Sequence, residues 1–79
     1  MDEQLIEIFA TTLNLPASSI TDSMSPANTE QWDSLAKMLL LAAIEETFNI
    51  ELTTEQIEAM VDFGEVRAIV SQCCMTATS

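Results

Sequence analysis

Histidine and tyrosine are both absent from this 79-residue sequence, and glycine occurs only once. Without histidine, a serine nucleophile lacks its usual general base, and a transition-metal site lacks its commonest ligand. The single glycine and the two prolines leave few sharp turns, and alternating β-branched residues are scarce. These absences argue against a hydrolase, a metal centre and a β-sheet protein.

Positive charge is also scarce, since 2 basic residues face 13 acidic ones and the formal net charge is −11. Nucleic acids and anionic membranes are bound mainly through Lys and Arg contacts, so we expect neither as a partner. An acidic domain attracts basic protein surfaces and speeds encounters with them. The same charge also keeps a small chain in solution, and both interpretations can hold at once.

The two cysteines, Cys73 and Cys74, are adjacent in the sequence. Their spacing fits neither a zinc knuckle nor a Cys-x-x-Cys redox site, and a bond between neighbours is strained. We interpret them as free thiols in a reducing compartment. Met1 is followed by two acidic residues rather than by a signal peptide, and no apolar stretch reaches the length of a membrane span. Together these features predict a cytoplasmic protein.

Hydrophobic residues are abundant at 48% of the chain, and since there are only one Trp and three Phe, most of them are aliphatic. The periodicity predicts a single all-α domain over residues 1–79. Helices are expected at about 2–14, 34–48, 54–60 and 63–72, followed by a flexible tail at 71–79. Between the first two helices lies a long polar loop, residues 15–33, with Ile20 and Met24 as its anchors. Trp32 at its end is expected to be a half-buried packing residue, or alternatively to shape the entry beside Ser34.

Local signals mark several helix ends. Pro16 is expected to end the first helix, because the residue before a proline avoids the helical region. Either Asp33 or Ser34 supplies the side-chain oxygen that caps the second helix. Thr53 and Gln56 form a capping-box pattern at the start of the third helix. Asp62 is expected to cap the last one.

The second helix is apolar on two sides. Leu40, Ile44 and Phe48 form the predicted core stripe. The other stripe runs through Leu35, Met38, Leu39 and Ala42 and is continued by Glu45 and Glu46. A chain of this size does not readily bury a helix all round, so the second stripe is predicted to face solvent and dock a partner.

One motif adds chemistry to this pattern. Trp32-Asp33-Ser34-Leu35 opens the second helix, which closes in Ile44-Glu45-Glu46-Thr47-Phe48-Asn49-Ile50-Glu51-Leu52. At these positions the chain resembles the acyl carrier and peptidyl carrier family, and the similarity runs from about residue 5 to residue 70.

The resemblance implies a four-helix bundle with a long first loop and a short third helix. It also implies that Ser34, between Asp33 and Leu35, carries a covalent 4'-phosphopantetheine derived from coenzyme A. Asp33 would then help hold the metal ion in the modifying enzyme's complex. The chain would be a non-catalytic, free-standing and monomeric carrier of thioester-bound acyl or aminoacyl groups, with a cargo pocket lined by Leu40, Ile44, Ile57 and Met60.

Expected partners are a phosphopantetheinyl transferase, a loading ligase and later biosynthetic enzymes with basic or apolar docking surfaces. Bacterial fatty-acid carriers have acidic residues soon after Asp-Ser-Leu, where this chain has Ala36 and Leu39, and Lys37 is unusual in so acidic a protein. This departure favours a specialised carrier over the housekeeping one of fatty-acid synthesis.

Three other classes of protein were compared with the carrier interpretation. The strongest is a helical protein–protein adaptor in which Ser34 is only a helix cap. A calcium-binding EF-hand is excluded because no Asp-x-Asp-x-Asp-Gly loop occurs. A Ser34–Lys37 catalytic dyad is the weakest, since Lys37 is the sole basic residue near the serine.

Overall fold

In the computed structural model, the backbone is described for residues 2–77 and the side chains for residues 3–74. The helices are α1 (Asp2–Leu13), α2 (Ser34–Phe48), α3 (Thr54–Ala59) and α4 (Phe63–Ala77), and a short 3-10 turn lies at Ala17–Ser19. Residues 2–77 contain no strand, so the all-α prediction is confirmed. None of the helices in this range is long and apolar enough to cross a membrane.

Most predicted helix bounds agree with the structure. Helix α2 begins and ends where the sequence places it, and α3 ends one residue early. The exception is α4, which continues to Ala77 rather than ending at residue 72. The segment predicted as a flexible tail is therefore helical through Ala77, because each added helical residue needs only its own backbone hydrogen bond. Residues 78 and 79 lie outside the described part.

Two asparagines end α1 and α2. Asn14 and Asn49 adopt left-handed conformations with φ of 56° and 54°. The next N–H in each case donates five residues back, from Leu15 to the carbonyl of Ala10 at 2.9 Å and from Ile50 to that of Glu45 at 3.1 Å. This is the Schellman arrangement. Helix α1 thus ends at Leu13, before Pro16 as predicted, and the left-handed Asn14 forms its C-terminal cap.

The long loop is fixed against the start of α4. Ile20 and Met24 are buried as predicted. The backbone N–H of Phe63 donates to the carbonyl of Met24 at 2.8 Å, and that of Gly64 donates to the carbonyl of Asp22 at 3.1 Å. A third N–H, on Glu65, donates to the capping carboxylate of Asp62. These bonds satisfy donors that a helix N-terminus otherwise leaves unpaired.

The hydrophobic core is centred on Phe9, which no solvent reaches. Its ring meets those of Trp32 and Phe63 edge-on, with centroids 5.1 and 4.8 Å apart, a favourable geometry for aromatic pairs. Phe48 is only half-buried, whereas Ala36, absent from the predicted core stripe, is buried. The buried hydrophobic residues come from α1, α2, α4, the long loop and the segments on either side of α3: Leu5, Phe9, Leu13, Ile20, Met24, Trp32, Ala36, Leu40, Ile44, Ile50, Met60, Phe63, Val66 and Val70.

Candidate functional site

Ser34 is the first residue of α2 and its side chain is exposed. The capping oxygen comes from Asp33, whose Oδ1 accepts a hydrogen bond from the backbone N–H of Ala36 at 2.9 Å. Within the described residues, the Ser34 hydroxyl makes no recorded hydrogen bond. The choice between the two candidate caps is thereby decided for Asp33, and the hydroxyl of Ser34 is available to react.

A shallow depression lies beside the serine, between the end of the long loop and the first turn of α2. Its lining residues are Pro26, Trp32, Asp33, Ser34 and Lys37. Trp32 is 5% exposed, so the prediction of a half-buried residue underestimated its burial. Its ring packs on Phe9 because the loop turns inward at this point, and the alternative that it shapes the access to Ser34 agrees with its position in the depression.

The predicted docking stripe is on the surface. Leu35, Met38 and Leu39 are exposed to 67%, 69% and 54%, and Ala42 is exposed as well. We call these four side chains the α2 surface. They begin immediately after Ser34, and their exposure in so small a chain is the feature typical of a contact surface.

The two glutamates that continue this stripe differ in their surroundings. Glu46 is exposed. Glu45 is half-buried, and its Oε2 accepts a hydrogen bond from the backbone N–H of Leu52 at 2.9 Å. This bond ties the last turn of α2 to the segment that leads into α3, so Glu45 has a structural role that its sequence position did not reveal.

An apolar pocket of about 50 Å³ lies deeper in the bundle. Leu40, Ile44 and Met60 line it, whereas the fourth predicted pocket residue, Ile57, does not. Sequence reasoning missed the other lining residues: four of them come from α1, the long loop and α4, which only the tertiary fold brings together with α2, and the other two lie on α2 outside the predicted pocket set. These are Phe9, Pro26, Trp32, Lys37, Leu41 and Val66.

The start of α3 has the hydrogen bonds that its sequence predicts. Thr53 Oγ1 accepts from the N–H of Gln56 at 3.1 Å, and Gln56 Oε1 accepts from the N–H of Thr53 at 2.9 Å, which confirms the predicted capping box. The Gln56 amide also donates to Cys73 Sγ at 3.3 Å, an interaction that joins α3 to α4. Cys73 and Cys74 are half-buried, and neither forms a disulfide bond within the described residues.

These features fit a phosphopantetheine arm. The arm joins a serine hydroxyl through a phosphodiester, and Ser34 offers an exposed hydroxyl at the positive end of a 15-residue helix. The depression beside it leaves room for the arm's first atoms. Fold and site together fit a small helical carrier protein.

Comparison with known proteins supports the interpretation as a carrier protein. A family model described as a phosphopantetheine attachment site matches residues 3–71. The acyl carrier protein of Helicobacter pylori strain J99 is 36% identical over 64 residues, which cover 81% of this chain and 82% of that protein. That of strain G27 is 33% identical over 64 residues, with the same coverage.

Among solved structures, the chain is similar to the solution structure of a holo acyl carrier protein from Geobacter metallireducens. The TM-score is 0.86 at 20% identity, with 96% of this chain and 87% of that chain covered. At this identity the likeness supports the fold, which is the bundle predicted from the sequence. The family match shows more: the chain belongs to the phosphopantetheine-binding acyl carrier family, whose prosthetic group is 4'-phosphopantetheine. The adaptor alternative is not favoured.

Proposed function

We propose that Ser34 is the attachment site of the arm and that the loaded protein shuttles thioester-bound acyl or aminoacyl groups between cytoplasmic biosynthetic enzymes. The observation that supports this proposal is that Asp33 and Ser34 have separate roles at the start of α2. Asp33 supplies the capping oxygen, so the neighbouring serine hydroxyl is not needed to hold the helix and faces solvent. The arm supplies a terminal thiol that forms thioesters, and the tether raises the concentration of its cargo at successive active sites.

The partners are a phosphopantetheinyl transferase, a loading ligase and the enzymes that process the cargo. The α2 surface offers them apolar side chains immediately after Ser34, while the net charge of −11 favours approach by basic proteins. Docking through the α2 surface supports a specialised carrier, because Leu39 offers an apolar contact where the fatty-acid pattern has an acidic residue.

Intact mass measurement tests the attachment site. The purified protein is incubated with coenzyme A and a broad-specificity phosphopantetheinyl transferase, and its mass is compared before and after. We expect a gain of one arm in the wild type and none in Ser34→Ala. Ser18→Ala is the matched control, because Ser18 is another exposed serine, located in the 3-10 turn. A gain that persists in Ser34→Ala, or no gain in the folded wild type, would overturn the proposal.

A further inference from the structure

Lys37 is the only lysine in the chain, and Arg67 is its only other cation. The two are in different situations. The Nη2 of Arg67 lies 2.7 Å from Oδ2 of Asp22 in an ion pair. Lys37 is exposed and forms no ion pair within the part of the chain that the structure describes. A molecule of net charge −11 thus keeps one uncommitted positive charge, three residues from its attachment serine.

The position of Lys37 brings that charge to the place where the arm begins. Side chains three residues apart on a helix are neighbours, with Cβ atoms about 5–6 Å apart. Ser34 and Lys37 line the same depression, and the other charged residue there is Asp33. A phosphodiester on Ser34 would add negative charge beside that carboxylate. Lys37 is the one group lining the depression that can compensate it.

The depression and the apolar pocket adjoin each other. Pro26, Trp32 and Lys37 line both of them. A chain leaving Ser34 along this shared wall therefore reaches the mouth of the pocket, and a chain leaving in other directions meets solvent or the α2 surface. Lys37 is the only charged residue that lines both the depression and the apolar pocket.

We propose that Lys37 pairs with the phosphodiester on Ser34 and directs the arm along the Trp32 wall toward the apolar pocket. Lys37 is then a positioning residue, and the pairing is a property of this chain's own sequence. The inference rests on Ser34 as the attachment site. It adds a specific course for the arm, and that course can be tested separately from attachment.

Because the chain has a single lysine, lysine labelled with ¹⁵N gives one side-chain ammonium signal in NMR spectra. We expect hydrogen exchange of this group with water to slow roughly twofold to fivefold on conversion from apo to holo protein, as an exposed ion pair worth up to about 1 kcal/mol would cause. High salt should remove most of the difference. In the holo protein, nuclear Overhauser contacts should join the arm's methyl groups to the indole of Trp32.

Lys37→Gln and Lys37→Arg complete the test, since an exposed position tolerates both changes. We expect the arm–indole contacts to disappear in the first variant and to return in the second. If the holo mass is reached but ammonium exchange is the same in the apo and holo wild type, and the arm–indole contacts are the same in Lys37→Gln as in the wild type, the pairing is wrong while the carrier function stands. If the mass gain itself fails, Ser34 is not the attachment site and the pairing falls with it.

Discussion

The carboxylate of Asp33 and the backbone N–H of Ala36 are joined by a 2.9 Å hydrogen bond across the first turn of α2. This bond stabilises the helix start on which the reactive serine is placed. It also holds a negative charge beside that serine. Asp33 therefore combines a structural role with an electrostatic one, and substitutions can separate them.

Replacing Asp33 by Ala should lower the free energy of unfolding by about 1 kcal/mol, because the cap is lost. Asp33→Asn keeps a capping oxygen and should remain within a few tenths of a kcal/mol of the wild type. If the carboxylate helps hold a metal ion in the transferase complex, both variants should be modified more slowly. Urea denaturation and the rate of arm transfer measure the two effects. Equal loss of stability in both variants would show that charge, not capping, matters.

The long loop should be held mainly by its apolar anchors rather than by its ion pair. Met24 is buried, so Met24→Ala should lower the free energy of unfolding by about 2–5 kcal/mol. The volume-conserving control Met24→Leu should cost less than about 1.5 kcal/mol. Asp22 is 61% exposed at its side chain, so Asp22→Asn should cost at most about 1 kcal/mol. A larger loss in Asp22→Asn than in Met24→Ala would contradict this ranking.

How much the sequence could predict depends on the range of the interaction. The start of α2 was predictable because its determinants, Asp33 and the apolar run after it, are adjacent in the chain. The left-handed ends at Asn14 and Asn49 are also local, but Pro16 was the more conspicuous signal. Asparagine tolerates this conformation better than most residues, and that is the signal that could have placed both ends.

Burial at the site was harder to predict, because it depends on distant elements. Trp32 is buried through Phe9 of α1, and no local pattern near the tryptophan indicates that contact. Ala36 is buried although it is too small to mark a core stripe. The pocket wall combines the loop, α1, α2 and α4. The predicted set contained only Leu40 and Ile44 of α2 and Met60, the residue that follows α3.

A substitution on the α2 surface should weaken the binding of partner enzymes without changing the stability of the fold. Leu39→Glu adds an acid to this surface, at a side chain that is 54% exposed, so unfolding should change by no more than about 0.5 kcal/mol. Loading by an apolar-docking ligase should fall several-fold, expressed as kcat/KM. Thr11→Glu adds the same charge at an exposed position on α1 and serves as the control. Equal losses in both variants would indicate a general charge effect rather than docking.

Cargo length should decide whether the bundle must open. The apolar pocket measures about 50 Å³, which is less than the space that two water molecules occupy in the liquid, at about 30 Å³ each. A short acyl group fits beside it or at its mouth. A long acyl chain can enter only if an element moves. Helix α3 is the best candidate, since it has six residues and none of them is buried.

We therefore expect long acyl chains on Ser34 to shift the amide signals of Ile44, Ile57 and Met60, and short chains to shift only signals near the serine. Ile57 should respond although it does not line the closed pocket, because α3 moves as a unit. The amide of Glu7, an exposed residue of α1 that does not line the apolar pocket, provides the internal control. If long chains leave Ile44 and Met60 unmoved, the cargo stays outside the bundle and the pocket has no part in carrying it.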